Sequence, residues 1–226
     1  MGRILKYFLL VVTVSTALLY ALGWNSVRGA TALPDPKADE PLAAAKGRET
    51  VVFAGGCFWG IQAVFEHVKG VTKATAGYSG GSVKNPSYEE VSSGTTGHAE
   101  SVEVVYDPSK ITFGQLLKVF FSVAHDPTEL NRQGPDFGTQ YRSAIFYETP
   151  DQLRIAQAYV DQLTAANTFS RLIVTQIVPF QAFYRAEDYH QDYAIHNPDN
   201  PYILMNDLPK VANLKKDFPG LYVSYR

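Results

Sequence analysis

The chain has 226 residues, a formal net charge of −2 and 46% hydrophobic residues. This charge balance, with no basic block longer than a pair, gives no electrostatic basis for nucleic-acid binding. A single cysteine excludes an intramolecular disulfide and a cysteine-based metal cluster, and the five histidines show no metal-ligand spacing. The hydrophobic content suffices for one sizeable core, so we expect a single domain of about 170 residues behind an N-terminal extension.

The N-terminal extension begins with Arg3 and Lys6, which precede an uncharged, mostly apolar run over residues 7–24. Such a run is short for a membrane span and long for the core of a signal peptide. Positive charge ahead of it predicts that the domain lies outside the cytoplasm. We therefore expect residues 1–32 to be a signal peptide or a membrane anchor, with a helix packed on the domain as the alternative. The domain would then be exported, periplasmic or membrane-anchored.

Two further segments complete the expected organisation. Residues 33–48 contain three prolines in a mixture of alanine, lysine and aspartate, which predicts a linker of little fixed structure. Residues 49–226 are expected to form the folded domain.

The segment Val51–Gly60 reads VVFAGGCFWG and contains the single cysteine, Cys57. Residues 51–53 predict a short strand, which the following glycines end. Apolar residues then recur at three- and four-residue steps from Phe58 to Val68, which predicts a helix. At such a strand-to-helix turn, free N–H groups and the helix dipole stabilise an anion, so the thiol of Cys57 should ionise readily. A buried structural cysteine is the alternative.

A second segment with catalytic potential is the strand predicted over residues 98–106. Glu100 shares one face of this strand with Val102, Val104 and Tyr106, while Glu103 lies on the other. A carboxyl group on an apolar face has its charged form disfavoured, so the pKa of Glu100 should rise and the group could act as a proton donor. On pattern alone, a glutamate that reaches solvent is an equally good reading.

The remaining elements follow in chain order. We expect strands over 71–78, 141–147 and 172–178, a short helix over 87–91 that carries Tyr88, and helices over 112–124 and 150–166. The buried side of the last helix is predicted to hold Leu153, Ala156, Tyr159, Val160 and Leu163. Residues 125–140 form a long polar segment of the kind that is often functional. His190 could be a base or a ligand, but a hydrogen-bonded packing role is the more common one for such a residue.

The motif GGCFWG resembles the active-site signature of the A-type peptide methionine sulfoxide reductases. Further matching segments follow in the same order as in that family: GYSGG (77–81), NPSYEEV (85–91), TGHAESVEVVYDP (96–108), HDPT (125–128), RQGPDFGTQYRSAI (132–145) and AEDYHQDY (186–193). The resemblance implies an α+β fold, a mixed β-sheet sandwiched with helices and long coil segments. It makes 49–226 the catalytic domain, with Glu100 rather than Glu103 as the acid.

The resemblance also implies roles for individual residues in reducing methionine-S-sulfoxide, free or in oxidised proteins. Cys57 would be the nucleophile and Glu100 the proton donor, with the hydroxyls of Tyr88 and Tyr141 as further donors to the sulfoxide oxygen. The side chains that would bind the substrate are Phe58, Trp59 and Asp136. Phe58 and Trp59 are large and apolar, and suit a pocket for the S-methyl group.

The product of attack would be a sulfenic acid on Cys57, and many relatives resolve it with a second cysteine near the C-terminus. This chain has no second cysteine and resembles the single-cysteine members. We expect no cofactor or metal, an external thiol reductant such as thioredoxin, glutaredoxin or a small thiol, and a monomeric enzyme.

Two other classes of function remain as alternatives. A thiol peroxidase or a cysteine hydrolase also places a cysteine at a helix N-terminus, although a hydrolase needs a histidine base beside it. The other is a membrane-tethered binding domain without catalytic activity. In such a domain we would expect the active-site residues to have been replaced.

Overall fold

The computed structural model of the protein describes residues 33–225. The predicted signal peptide or anchor, residues 1–32, lies outside this range, and its role stays a prediction. Between residues 33 and 225, no helix has the combination of length and apolar character needed to cross a membrane.

The described chain alternates strands with short helices. The strands are β1 Glu49–Gly55, β2 Val71–Ser79, β3 Ala99–Tyr106, β4 Arg132–Gln133, β5 Asp136–Phe137, β6 Ser143–Tyr147, β7 Gln176–Pro179 and β8 Phe183–Arg185. The α-helices are α1 Phe58–Glu66, α2 Tyr88–Ser92, α3 Phe113–Val119, α4 Pro150–Ala165, α5 Tyr193–His196 and α6 Leu208–Asp217. Short 3₁₀ turns cover Thr139–Tyr141 and Asp188–His190, and π-helical turns cover Phe120–Ala124 and Ile203–Asp207.

Six strands form one mixed sheet in the order β7-β6-β1-β3-β2-β8. All neighbours are antiparallel except β6 and β7, which run parallel. The two-residue strands β4 and β5 pair separately as a hairpin. This arrangement confirms the predicted α+β fold with a mixed sheet and helices.

The core is built on both faces of β1, because its side chains alternate between them. Phe53 stacks between Phe65 of α1 and Phe120, at ring-centroid distances of 5.2 and 4.6 Å. Its neighbours Val52 and Ala54 belong to a second cluster. Burial of side chains of this size stabilises the fold by roughly 1.5–3 kcal/mol each. The C-terminal end of β1, where Cys57 follows, is therefore anchored from both sides.

Most element types are as predicted, but several boundaries and one helix face are not. The strand expected over 141–147 begins only at Ser143, since Tyr141 ends a 3₁₀ turn. The strand expected over 172–178 begins at Gln176, and Leu172 is exposed. On α4, Leu153 is 36% exposed, and Gln152 and Ile155 are buried instead.

The prediction of little fixed structure for residues 33–48 is wrong. The segment has no helix or strand, yet it is attached to the domain by long-range hydrogen bonds. The hydroxyl of Tyr159 donates to the carbonyl of Pro34 at 2.9 Å. Asp39 accepts from the backbone N–H of Gly114 at 2.9 Å, so its carboxylate caps the positive end of α3. The physical reason is that polar side chains on α3 and α4 offer partners which the sequence of the segment does not show.

Candidate active site

Cys57 lies at the turn between β1 and α1, as predicted, in the N-cap position of the helix. The turn depends on Gly56, whose φ of +96° disfavours any residue with a Cβ atom. A Cβ at this position would also lie 2.5 Å from the side chain of Gln133. Gln133 is held in place because it exchanges hydrogen bonds with the backbone of Asp126, at 2.8 and 3.1 Å. The β4–β5 hairpin therefore packs directly against the backbone that presents the thiol.

The expectation that the thiol of Cys57 ionises readily is wrong for this structure. Burial raises the pKa of the thiol well above its ordinary value, and the carboxyl groups of Glu100 and Asp207 raise it further whenever they are charged. The backbone N–H of Trp59 and the charge of Lys210 act in the opposite direction, but more weakly. The helix N-terminus offers less to a thiolate than the sequence suggested, because two carboxyl groups already lie near it.

Glu100 is buried, with 2% of its surface exposed, and lies beside Cys57. Its Oε2 accepts a hydrogen bond from the backbone N–H of Phe58, the first residue of α1, at 3.0 Å. Burial raises the pKa of Glu100 to about 8, and the charge of Asp136 adds to this, while the Phe58 N–H lowers it. The predicted rise is thus confirmed, and at neutral pH Glu100 carries a proton that it can donate. Glu103, on the other face, is only half-buried.

Two tyrosine hydroxyls approach the same site from separate loops. Tyr88 begins α2, where Ser87 and Glu90 form a capping box. Its backbone N–H donates to Glu187 at 2.9 Å. Tyr141 ends a 3₁₀ turn whose Gln140 side chain donates to the carbonyl of Ser92 on α2, at 3.2 Å, which joins the two loops.

Both hydroxyls stay protonated at neutral pH. Burial raises the pKa of Tyr88, and the charges of Glu100 and Cys57 act in the same direction. For Tyr141, burial and then the charge of Glu100 raise the pKa. Both tyrosines are therefore available as hydrogen-bond donors at the site.

Aromatic side chains form a box beside the thiol. Phe58 is buried, with its ring 5.0 Å from that of His190. Trp59 is half-buried and stacks on Tyr193, with ring centroids 3.9 Å apart and planes within 11°. These rings give the site an apolar wall of the kind that binds a methyl group.

His190 belongs to this box as a packing residue. The indole N–H of Trp59 donates to its Nδ1 at 3.2 Å, which places the ring proton on Nε2. Burial lowers the pKa of His190, so the ring is neutral. Within residues 33–225, no histidine forms a hydrogen bond with Cys57, so the pairing that a cysteine hydrolase requires is not found there.

Asp136 begins β5, and the hydroxyl of Tyr202 donates a hydrogen bond to its carboxylate. The ring of Tyr202 also meets that of Trp59 edge-on, at 6.0 Å. Sequence reasoning missed Tyr202, because the region after Pro201 shows no pattern that relates it to Cys57. Asp207 and Lys210 were missed for the same reason.

The structure thus brings together all seven side chains expected at the site: Cys57, Phe58, Trp59, Tyr88, Glu100, Asp136 and Tyr141. They offer a sulfur nucleophile, three proton or hydrogen-bond donors and an apolar wall. Across residues 33–225, no three histidine, cysteine, aspartate or glutamate side chains are grouped so as to hold a metal ion.

The family model described as "Peptide methionine sulfoxide reductase" matches residues 49–220. The chain belongs to the peptide methionine sulfoxide reductase family. This membership confirms the resemblance seen in the motifs, and the A type is supported by the relatives. The match covers the whole mixed sheet and every site residue named above.

Similar proteins include two named peptide methionine sulfoxide reductase MsrA 2. That of Mesorhizobium japonicum is 63% identical over 179 residues, which cover 79% of this chain and 92% of the relative. That of Synechocystis sp. is 53% identical over 188 residues, which cover 82% of this chain and 88% of the relative.

Two solved structures share the fold. Methionine sulfoxide reductase A of Corynebacterium diphtheriae is 40% identical, with a TM-score of 0.59 over 74% of this chain and 85% of its own. Reduced Mxr1 of Saccharomyces cerevisiae is 34% identical, with a TM-score of 0.61 over 73% of this chain and 92% of its own.

Proposed function

We propose that this reductase converts methionine-S-sulfoxide to methionine with Cys57 as the nucleophile and Glu100 as the proton donor. These roles rest on one observation: the buried, protonated Glu100 lies beside Cys57. Its carboxyl group accepts a hydrogen bond from the first backbone N–H of α1. A sulfoxide whose sulfur approaches Cys57 would place its oxygen near this carboxyl group. Free methionine sulfoxide and oxidised proteins are the expected substrates.

The reaction transfers one oxygen atom. The Cys57 sulfur attacks the sulfoxide sulfur, while Glu100 protonates the oxygen and the hydroxyls of Tyr88 and Tyr141 donate hydrogen bonds to it. The oxygen then transfers to the Cys57 sulfur: an S–O bond to Cys57 forms, while the transient bond between the two sulfurs and the S–O bond of the substrate break. Methionine leaves, and Cys57 is left as a sulfenic acid. Phe58 and Trp59 bind the S-methyl group, and Asp136 helps to fix substrate and water.

The raised pKa of Cys57 fits this scheme if the thiol loses its proton only as the sulfoxide oxygen gains one. Glu100 lies beside the thiol and has a pKa of about 8. A carboxyl group that titrates this close to neutral pH can give its proton to the sulfoxide oxygen and take up the proton of the thiol in its place. Loss of the proton by the thiol and donation of a proton by the carboxyl group are then coupled.

A single-turnover experiment without reductant tests these roles. Mixing the full-length protein with methionine-S-sulfoxide should yield about one methionine per protein and a Cys57 that has gained one oxygen by mass. Dimedone, which traps sulfenic acids, should label the same residue. Methionine release from a protein whose Cys57 stays unoxidised would rule out this mechanism.

We further propose that an external thiol regenerates the enzyme. Cys57 is the single cysteine of the 226 residues, so none of them can supply a resolving thiol. One external thiol would displace water from the sulfenic acid to give a mixed disulfide, and a second would release Cys57 and leave as the disulfide. Thioredoxin-like proteins, glutaredoxin-like proteins and small thiols are the candidates. Turnover with dithiothreitol but with no protein thiol would reject the protein partners.

The location outside the cytoplasm is also a proposal. It rests on Arg3 and Lys6 ahead of the apolar run at residues 7–24. Cell fractionation would test it. Protein recovered only from the cytoplasm would reject both the exported and the anchored forms.

A further inference from the structure

Asp207 and Lys210 form an ion pair beneath the first turn of α1. The Nζ of Lys210 lies 3.2 Å from Oδ1 of Asp207. Both groups reach the helix at Gly60, three residues after Cys57, where an added Cβ would lie 2.1 Å from Oδ1 and 2.7 Å from Nζ. Because only glycine lacks this atom, Gly60 is what allows the charges to approach the helix so closely.

The carboxylate of Asp207 is in an unusual environment. The residue is fully buried, and within the described part of the chain its Oδ2 has no hydrogen-bond partner. Lys210 supplies its salt bridge from the edge of the site, where 19% of the lysine side chain is exposed. A buried carboxylate with one free oxygen is costly, so its retention calls for an explanation.

That explanation lies in the groups around it. Every element around the thiol supplies titratable or charged groups that act on it or share its site. They are Glu100 on β3, Tyr88 on α2, Asp136 on β5, Tyr141 in the 3₁₀ turn, and Tyr202, Asp207 and Lys210 in the C-terminal region. After Glu100, which is protonated at neutral pH, Asp207 is the carboxyl group that raises the pKa of Cys57 most, and Lys210 acts in the opposite sense. Asp207 lies at the first turn of α1, against Gly60.

We propose that Asp207 and Lys210 are positioning residues that set, with opposite signs, how readily Cys57 loses its proton. Asp207 keeps the resting thiol neutral, since its carboxylate occupies the helix end that would otherwise stabilise a thiolate. Lys210 limits this effect, so that the thiol can still ionise when substrate is bound. The inference deepens the proposed function and rests on Cys57 as the nucleophile.

Control of the ionisation of Cys57 by this ion pair suits an enzyme with one cysteine. A neutral thiol is a poor nucleophile and is oxidised slowly, whereas a thiolate is oxidised by any peroxide that reaches it. With no second cysteine in the chain to rescue it, Cys57 gains from staying protonated until a sulfoxide and the Glu100 proton are both in place. The pair thereby couples oxidation of Cys57 to its substrate.

The test measures the alkylation rate of Cys57 by iodoacetamide against pH, in the full-length chain. Cys57 is the single cysteine, so the signal has one source. Asp207→Asn should move the midpoint of the profile down by about one pH unit, which is about tenfold faster alkylation below the midpoint. Lys210→Met should move it up, the double variant should lie between the two, and Lys210→Arg should restore the wild-type midpoint.

The matched controls lie at the other end of α6, where Lys216 and Asp217 form a second pair at 3.8 Å. Asp217→Asn and Lys216→Met should leave the midpoint unchanged. If Asp207→Asn and Lys210→Met shift the midpoint in the same direction, or not at all, while circular dichroism shows both folded, the proposal is overturned. If Asp207→Asn does not fold, the two Lys210 variants test the proposal alone. Lys210→Met should raise the midpoint and Lys210→Arg should leave it at the wild-type value, and any other result overturns the proposal. Alkylation requires no sulfoxide, so these results stand apart from any failure of reductase activity.

Discussion

Phe58 donates its backbone N–H to Oε2 of Glu100 at 3.0 Å, and this bond joins the helix that follows Cys57 to strand β3. It fixes the carboxyl group against the thiol before any substrate binds. It also occupies the first free backbone N–H of the helix, which could otherwise donate a hydrogen bond to a Cys57 thiolate. This contact thus accounts for a preformed acid beside the thiol.

Replacing the acid should separate its role from the packing of β3. Glu100→Gln keeps the shape and the hydrogen bond to Phe58, but it cannot release a proton. We expect the rate of sulfoxide reduction to fall by roughly 10²–10⁴-fold. Glu103→Gln, three residues along the same strand and half-buried, is the control and should keep most of the activity. Equal losses in the two variants would argue against a proton donor at position 100.

The pH dependence of single-turnover reduction should report Glu100. Its carboxyl group is protonated below its pKa of about 8 and charged above it. The rate should therefore fall as pH rises through about 8, because the donor form is lost. The fall should be absent from the residual activity of Glu100→Gln. A wild-type rate that keeps rising well above that pH would show that ionisation of the thiol alone controls the reaction.

The pH dependence of the free energy of unfolding should also reflect the titration of Glu100. The pKa of Glu100 is raised from 4.5 in the unfolded chain to about 8 in the fold. Between these values the folded state holds a proton that the unfolded state has lost, so the free energy of unfolding falls as pH rises. Denaturant titrations at pH 5 and pH 8 should show a smaller loss in Glu100→Gln than in the wild type. Glu66, whose pKa burial raises to about 9, contributes the same trend in both proteins. An identical loss in both proteins would contradict the buried, protonated Glu100.

The two tyrosine hydroxyls should contribute as hydrogen-bond donors to the developing charge. Tyr88→Phe and Tyr141→Phe should each lower the rate roughly 10–100-fold, the range expected for a hydrogen bond to a charged group. Tyr147→Phe, half-buried on β6, is the control and should leave the rate unchanged. Full activity in the variant that lacks both site hydroxyls would remove them from the mechanism.

The turn before Cys57 should tolerate no side chain at position 56. Gly56→Ala introduces a Cβ at a φ of +96°, 2.5 Å from Gln133. Gly134→Ala is a matched control, since Gly134 also has a positive φ, of +54°, but nothing within 4 Å of the added atom. Unfolding titrations should show a cost of about 1 kcal/mol for Gly134→Ala and a larger cost for Gly56→Ala. Equal costs would mean that the contact with Gln133 does not constrain the turn.

The sequence predicted the fold class, the turn at Cys57 and the raised pKa of Glu100, because these follow from local patterns and from the family motifs. It did not predict that the thiol would stay protonated, since this depends on burial and on Asp207, which lies 150 residues further along the chain. Tyr202 and Lys210 were missed for the same reason. The π-helical turn Ile203–Asp207 brings them to α1, and no periodicity after Pro201 indicates this. The attachment of residues 33–48 was missed as well, because the partners of Asp39 lie on α3.

The central claim is tested most directly by turnover of the separated epimers of a methionine sulfoxide peptide, with dithiothreitol as the reductant. The full-length wild type and its Cys57→Ser variant would be compared. The account predicts that the wild type consumes the S epimer alone and that the variant consumes neither. Consumption of the R epimer, or S-epimer turnover that survives the loss of Cys57, would contradict it.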